Sequence, residues 1–306
     1  MTFYSSIFFK EKTISYLKID ELEKKFGDKK ILNKLSFTIK PGEIYGFVGA
    51  NGTGKSTTMR IAIGVLAPDA GHVLFNNKPI TNDIRRHIGY MPEERGLYGK
   101  EKVIDQLIFL AKLHGLKGNK ARERTIDLLE RLSLTDRMND KLDSLSLGNQ
   151  QKVQLAASLV HSPNILILDE PFSGLDPLAV RTMSEILSEN AQRGVPIIFS
   201  SHQLDLVQRI CDRVGILSNG RLAAEGSVDA LRNQGPLRYH IETTARHWYP
   251  NGTHIVAESN NGITLELDNP TMEQTVLHAA LAAGEVHSFY KILPDLSDLF
   301  KKYVSL

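Results

Sequence analysis

A short apolar run, Ile44–Val48, empties directly into the glycine-rich segment Gly49-Ala50-Asn51-Gly52-Thr53-Gly54-Lys55-Ser56-Thr57, and helical spacing continues from Thr57 to Val65. Strand, tight loop and helix in that order leave few folds open, because a short strand that is apolar on both faces belongs inside a parallel sheet whose crossovers are helices. Gly49, Gly54, Lys55 and Ser56 satisfy the pattern GxxxxGK[ST] at each constrained position. The glycines let successive backbone N–H groups turn toward one anion, and the following helix adds the positive end of its dipole. Lys55 supplies a point charge for β- and γ-phosphates, the Ser56 hydroxyl suits Mg²⁺, and Thr57 lies within reach of an α-phosphate. The loop therefore reads as a triphosphate cradle.

Further residues of the right chemistry follow along the chain. Ile165–Leu168 is a second apolar strand that ends in Asp169 and Glu170, which places two carboxylates at a sheet's carboxyl edge, where open α/β sheets hold their ligands. Asp169 is the expected anchor for Mg²⁺, directly or through an intervening ligand. His202 comes just after a third strand, Pro196–Ser200, where a neutral imidazole has a γ-phosphate or a water to bond; a lone histidine is otherwise a structural residue. In Leu145–Asn149 (LSLGN), Ser146 and Gly148 offer a hydroxyl and a bare backbone for close approach to a phosphate, with helical sequence directly after at Gln150–Val153. Taken alone the segment is also a plain helix cap. Phe26 offers a π face for a base or, alternatively, packs in the core. Glu93 offers a carboxylate to a hard cation or is a solvated acid within Pro92-Glu93-Glu94-Arg95.

Bulk properties exclude several classes. Lys and Arg number 37 against 35 Asp and Glu, a net charge of +2, which gives no electrostatic reason for a nucleic-acid partner. Cys211 is the only cysteine, so no internal disulfide and no cysteine metal framework is expected, in keeping with a reducing compartment. No apolar run reaches the roughly 18 residues needed to span a bilayer. The ten histidines form neither an HExxH pair nor a tract. The opening segment is read as an extension, since its apolar piece Ser6–Phe9 is too short for a secretion signal and is cut by Lys10 and Glu11.

Half-buried alternation predicts strands at Leu17–Glu23 and Leu35–Lys40, separated by the polar stretch Lys24–Lys30. A mostly helical segment is expected from about Glu101 to His161, with Val103, Leu107, Leu110 and Leu113 on one face. Helical spacing at Leu178–Asn190 and a strand at Arg213–Leu217 complete a parallel α/β pattern. Gly235-Pro236 marks a linker. Beyond it, strands are predicted at Tyr239–Thr243, Ile255–Ser259 and Ile263–Leu267, the last two joined by a hairpin turn at Asn260-Asn261-Gly262. A helix from Pro270 to Ala283, a strand at Val286–Ile292 and a helix at Asp295–Tyr303 follow.

With Phe26, Gly49–Thr57, Glu93, Leu145–Asn149, Ile165–Glu170 and His202 in this fixed order, the chain resembles the ATP-binding subunit of an ABC (ATP-binding cassette) transporter over roughly Leu17–Glu225. The segment from Pro236 is similar to the small C-terminal domain of sodium- and drug-exporter ATPases. The resemblance implies an α/β fold: a P-loop NTPase core with an antiparallel β-subdomain and an inserted helical subdomain, plus a small α/β C-terminal domain. The expected divisions are an extension over 1–16, an ATP-binding domain over 17–230 with its helical subdomain at about 93–161, and the C-terminal domain over 236–306. LSLGN departs from the family's LSGGQ at Leu147 and Asn149, and Glu93 stands where the family has Gln.

The resemblance also implies roles. ATP is cradled by Gly49, Ala50, Asn51, Gly52, Thr53, Gly54, Lys55, Ser56 and Thr57, with its adenine on Phe26. Mg²⁺ is held by Ser56, Asp169 and Glu93. Glu170 is the base that orients or deprotonates the attacking water, with His202 in support. Ser146 and Gly148 of one copy complete the site of the other, so a homodimer forms on ATP binding. Such an ATPase drives separate transmembrane permease subunits, here for export, from the cytoplasmic side as a peripheral protein on the inner face of the cell membrane. The rival expectations are a soluble ABC ATPase of translation or repair and a nucleotide-gated interaction module with little turnover.

Overall fold

The structure, a computed structural model, describes residues 15–94, 96–259 and 262–304. The extension expected over 1–16 lies outside the described residues except for Ser15 and Tyr16, as do Arg95 and, in the expected hairpin turn, Asn260 and Asn261. The chain divides between Gly226 and Ser227 into two compact units.

The first unit begins with a long hairpin, β1 (Leu17–Phe26) and β2 (Lys29–Ile39), paired antiparallel from Leu17↔Ile39 to Phe26↔Lys29. Leu17, Ile19 and Leu22 face inward across from Leu32, Leu35, Phe37 and Ile39. The stretch expected to separate two short strands is itself mostly strand, and only Gly27-Asp28 turns. Lys24 and Lys25 belong to the ladder, yet their charged side chains near the outer end of the hairpin hide the alternation on which a strand prediction rests. After β3 (Ile44–Gly49) and α1 (Lys55–Ala62), β4 (Ala70–Phe75) returns to pair antiparallel with β1, and β5 (Lys78–Pro79) pairs with β4. The order of this sheet is β2-β1-β4-β5.

Then come α2 (Asn82–Arg85) and β6 (Ile88–Met91), followed by three helices, α3 (Val103–Leu113), α4 (Gly118–Arg131) and α5 (Leu147–Leu159). They pack on one another through Leu107, Ala111, Leu128, Leu129 and Leu155, all buried. The chain re-enters the core with β7 (Ile165–Leu168), α6 (Pro177–Gln192), β8 (Ile197–Ser201), α7 (Leu204–Ile210), β9 (Arg213–Ser218) and β10 (Arg221–Ser227). Asp176 caps α6 by accepting the Ala179 N–H at 2.9 Å, with Pro177 pre-set at the first helical position.

The second sheet has the order β10-β9-β3-β8-β7-β6, and β3, β6, β7, β8 and β9 pair in parallel. Its central strands are buried along their whole length, which is why they read as continuous apolar runs. One core joins the two sheets: Leu17, Leu35 and Ile39 of the hairpin share it with Phe47, Ile167 and Ile198 of the parallel sheet. Phe37 stacks on Tyr45 with ring centroids 5.2 Å apart. This packing clamps the hairpin end carrying Phe26 beside the loop after β3.

The second unit comprises α8 (Val228–Arg232), β11 (Arg238–Thr243), β12 (Thr253–Ser259), β13 (Gly262–Leu267), α9 (Met272–Ala283), β14 (Val286–Ile292) and α10 (Leu296–Val304). The strands form an antiparallel sheet in the order β12-β13-β11-β14. Tyr239, Ile241, Ile263 and Leu265 form its core with Val276 and Ala280 of α9. Arg232 donates to the carbonyl oxygens of Pro294 and Leu293, tying α8 to this unit ahead of Gly235-Pro236.

Candidate active site

Parallel pairing sends the carboxyl ends of β3, β6, β7 and β8 to one edge: Val48 lies beside Ser201, and Met91 beside Leu168. The segments that leave this edge are the glycine loop, Pro92–Glu94, the turn starting at Asp169 and His202. Most of them enclose a cleft of about 420 Å³ lined by Phe26, Asn51, Gly52, residues 54–57, Glu93, Asp169 and Glu170. Lys29 and Ile31 of β2 complete the wall. Residues spread over 145 positions of sequence (26 to 170) thus share one cavity.

Gly49, Ala50 and Thr53 form the inner frame of the loop. The Lys55 ammonium donates to the Gly49 and Ala50 carbonyls at 2.7 and 3.1 Å, and the Thr53 hydroxyl donates to Ala50 at 2.8 Å. Gly54 caps α1 with φ 111°, a conformation that L side chains rarely adopt, and a Cβ there would lie 2.7 Å from Leu32 Cδ2. Burial lowers the Lys55 pKa, opposed by the negative field of Glu170, Asp169 and Glu93. Within the cleft the Lys55 ammonium therefore sits in the field of three carboxylates, a donor set that can hold a cation.

Asp169 is buried; its N–H donates to Met91 O at 2.8 Å, extending the β6–β7 ladder, and its Oδ1 accepts the Ser200 hydroxyl at 2.6 Å. Glu170 adopts a left-handed backbone with φ 50°, which is unfavourable for a side chain of this kind. Three contacts hold it there. Its N–H donates to Ser200 Oγ at 2.8 Å, its carbonyl accepts from Gln151 Nε2 at 3.2 Å, and its Oε2 lies 3.0 Å from His202 Nδ1. An ionised carboxylate only accepts, so Nδ1 carries the hydrogen, and in the neutral ring Nε2 is left with a lone pair. That lone pair suits a water proton, whereas donation to a phosphate oxygen needs the doubly protonated ring.

Glu93 sits in a loop fastened to α5, where Gln154 Nε2 donates to the Pro92 and Glu94 carbonyls at 3.0 and 3.1 Å. Ser56, Asp169 and Glu93 provide only oxygen donors. Among the described residues no three His, Cys, Asp or Glu side chains form a metal cage. A Mg²⁺ that keeps several waters and shares phosphates needs only one or two carboxylates, so this donor set fits it.

Ser146 and Gly148 are absent from the lining of this cleft. Ser146 caps α5, its Oγ accepting the Asn149 N–H at 3.4 Å. Leu147 covers Gly174, and Gly148 abuts Leu175, so the start of α5 packs on the Ser173–Asp176 turn of its own chain. The sequence pattern does not single out Ser200, Gln151 and Gln154, whose side chains hold Asp169, Glu170 and the Pro92–Glu94 loop in place.

A glycine-rich loop between strand and helix, an edge Asp-Glu pair, a histidine on the glutamate and an inserted group of helices together define an ATP-binding cassette. Residues 32–173 match the ABC transporter family, and residues 226–304 match the ATP-binding protein DrrA1-3-like, C-terminal domain. The chain is 36% identical over 288 residues to the ABC transporter ATP-binding protein YhaQ of Bacillus subtilis, spanning 93% of this chain and 97% of that one. It is 36% identical over 213 residues to Nod factor export ATP-binding protein I of Burkholderia orbicola, covering 69% of this chain and 70% of that one. A solved structure of an ATP binding subunit of an ABC transporter superposes with a TM-score of 0.66 at 32% identity, over 71% of this chain and 92% of the other. The chain belongs to the ATP-binding subunits of ABC transporters. Members of this family bind and hydrolyse ATP to power transport, and their cassettes dimerise and work with membrane permease components.

Proposed function

We propose that two copies of this chain bind MgATP between them and use its hydrolysis to drive a separate membrane permease that exports its substrate. The observation that carries the reading is the meeting of Lys55, Asp169, Glu170 and Glu93 at one sheet edge, with His202 hydrogen-bonded to Glu170. Phe26 stacks on the adenine and Gly49–Thr57 cradle the phosphates. Ser56 and Asp169 would hold Mg²⁺, with Glu93 as a further oxygen donor, and the ion when bound would supply positive charge against the phosphates. Glu170 orients the attacking water and accepts its proton, and His202 fixes the direction of that carboxylate. Ser146 and Gly148 face the nucleotide of the second copy, as their place outside their own cleft favours.

Export is supported by the Nod factor export protein and the probable multidrug ABC transporter ATP-binding protein among the relatives, which also weigh against a role in translation or repair. No helix among the described residues is long and apolar enough to cross a membrane. As an ATP-binding subunit that works with a permease, the chain is assigned to the cytoplasmic face of the cell membrane, held there by that permease. The near-neutral charge supports no nucleic-acid partner.

Replacing Glu170 with Gln tests the assignment, because the amide keeps the shape and loses the base. ATP binding is expected to persist while turnover falls about 10²- to 10⁴-fold. Normal steady-state hydrolysis by Glu170→Gln would refute the role of Glu170.

A further inference from the structure

Strand β8 is apolar until it reaches the sheet edge, where Ser200 follows Ile197, Ile198 and Phe199. Ser200 is fully buried. A hydroxyl carries one hydrogen, so its two contacts have fixed senses. The hydrogen goes to Asp169 Oδ1 at 2.6 Å, and a lone pair receives the Glu170 N–H at 2.8 Å. One buried atom thus bonds both members of the Asp-Glu pair.

Each bond constrains a different group. The first holds one oxygen of the Asp169 carboxylate, which fixes the plane of the group and leaves Oδ2 to serve the cation. The second holds the peptide between Asp169 and Glu170 at the residue whose φ of 50° an unrestrained glutamate disfavours. Gln151 bonds the carbonyl on the far side of Glu170, so both peptide planes flanking this residue are anchored and its side chain is delivered to His202. A filler residue would need neither contact.

We propose that Ser200 is a positioning residue for ATP hydrolysis, setting the Asp169 carboxylate for Mg²⁺ and the Glu170 carboxylate for water through one hydroxyl. The proposal rests on the roles given above to Asp169 and Glu170. Ser200 is buried outside the lining of the cleft and acts through those two residues.

The test compares Ser200→Ala, Ser200→Thr and Glu170→Gln in the full chain, with thermal melts to report the folded fraction. Removing a buried charge-assisted hydrogen bond is expected to lower the kcat of Ser200→Ala about 10- to 100-fold, with the KM for ATP within about threefold of the parent. Ser200→Thr keeps the hydroxyl and is expected to recover most of the lost turnover. A second readout needs no turnover: the Mg²⁺ concentration giving half-maximal binding of a fluorescent ATP analogue rises several-fold in Ser200→Ala, while binding without Mg²⁺ is unchanged.

Parental turnover in Ser200→Ala, an effect on KM alone, or an unchanged Mg²⁺ requirement would overturn the proposal. So would a turnover loss that vanishes after correction for folded protein. If Thr fails to fold, the Mg²⁺ titration of Ser200→Ala decides alone. Glu170→Gln separates the two levels of argument. An inactive Glu170→Gln beside a fully active Ser200→Ala sinks only the role of Ser200, whereas an active Glu170→Gln sinks the reading beneath it.

Discussion

Replacing Gly54 by Ala puts a single methyl where both the backbone and the surroundings refuse it. At φ 111° an L residue is strained by about 1–2 kcal/mol. The new Cβ would meet Leu32 Cδ2 at 2.7 Å, Ile31 Cγ2 at 3.1 Å and the Ile31 carbonyl oxygen at 3.2 Å. Leu32 is fully buried in the core shared by the two sheets, and the Ile31 carbonyl is backbone, so neither retreats freely. Overpacking of this kind costs about 1–3 kcal/mol, for a combined loss of about 2–5 kcal/mol. For a unit of this size that lowers Tm by about 4–20 °C.

Gly27→Ala is the matched control. Gly27 also has positive φ, +56°, but a Cβ there meets nothing within 4 Å, so only the backbone strain remains. Thermal melts and urea titrations of both variants, followed by ATP titration, give the comparison. Gly54→Ala should melt well below Gly27→Ala and bind ATP more weakly, because the first turn of α1 must shift away from β2. Equal melting of the two variants would refute the argument that the loop is pressed against β2 at this position.

Other consequences are open to measurement. Phe26→Ala removes a half-exposed ring from the cleft wall and should weaken ATP binding about 2- to 12-fold without changing stability, as equilibrium titration would show. Burial, aided by the neighbouring His114, lowers the His161 pKa from 6.5 to about 4, so the folded chain resists a proton that the unfolded chain accepts. The resulting stability is complete above pH 6.5 and is lost as pH falls toward 4, amounting to about 2–3 kcal/mol between pH 7 and 4.5. Urea titrations of His161→Gln at both pH values should show a correspondingly smaller loss on acidification, and an unchanged difference would dismiss His161 as the source. Leu265 is fully buried in the second unit, so Leu265→Ala should cost about 2–5 kcal/mol there. Calorimetry should show one transition displaced and another preserved; a uniform shift of all melting would contradict separate units.

The parts of this fold that were legible in the sequence are those where burial is complete or loop chemistry is restrictive. Ile165–Leu168 lies where the pattern places it, and the glycine loop opens α1 as its spacing requires. The hairpin's outer half was hidden because Lys24, Lys25, Lys29 and Lys30 carry strand backbone without strand-like side chains. Strand β4 escaped because it has no buried residue to mark a face. For the site, residue types singled out the groups that line the cleft. Their supports, Ser200, Gln151 and Gln154, act through contacts 19 to 62 positions away, and no local pattern encodes such a partner.

The central claim, that each ATP is enclosed by the phosphate loop of one copy and the start of α5 of another, has a direct test. Gly52→Cys and Gly148→Cys, placed in a Glu170→Gln chain with Cys211 replaced by Ser, put one thiol in the loop and one at the helix start. Mixing the two single-thiol chains with MgATP under mild oxidation should give disulfide-linked heterodimers that are scarce with ADP or without nucleotide. Equal cross-linking in all three conditions, or none with MgATP while ATP still binds, would contradict the account.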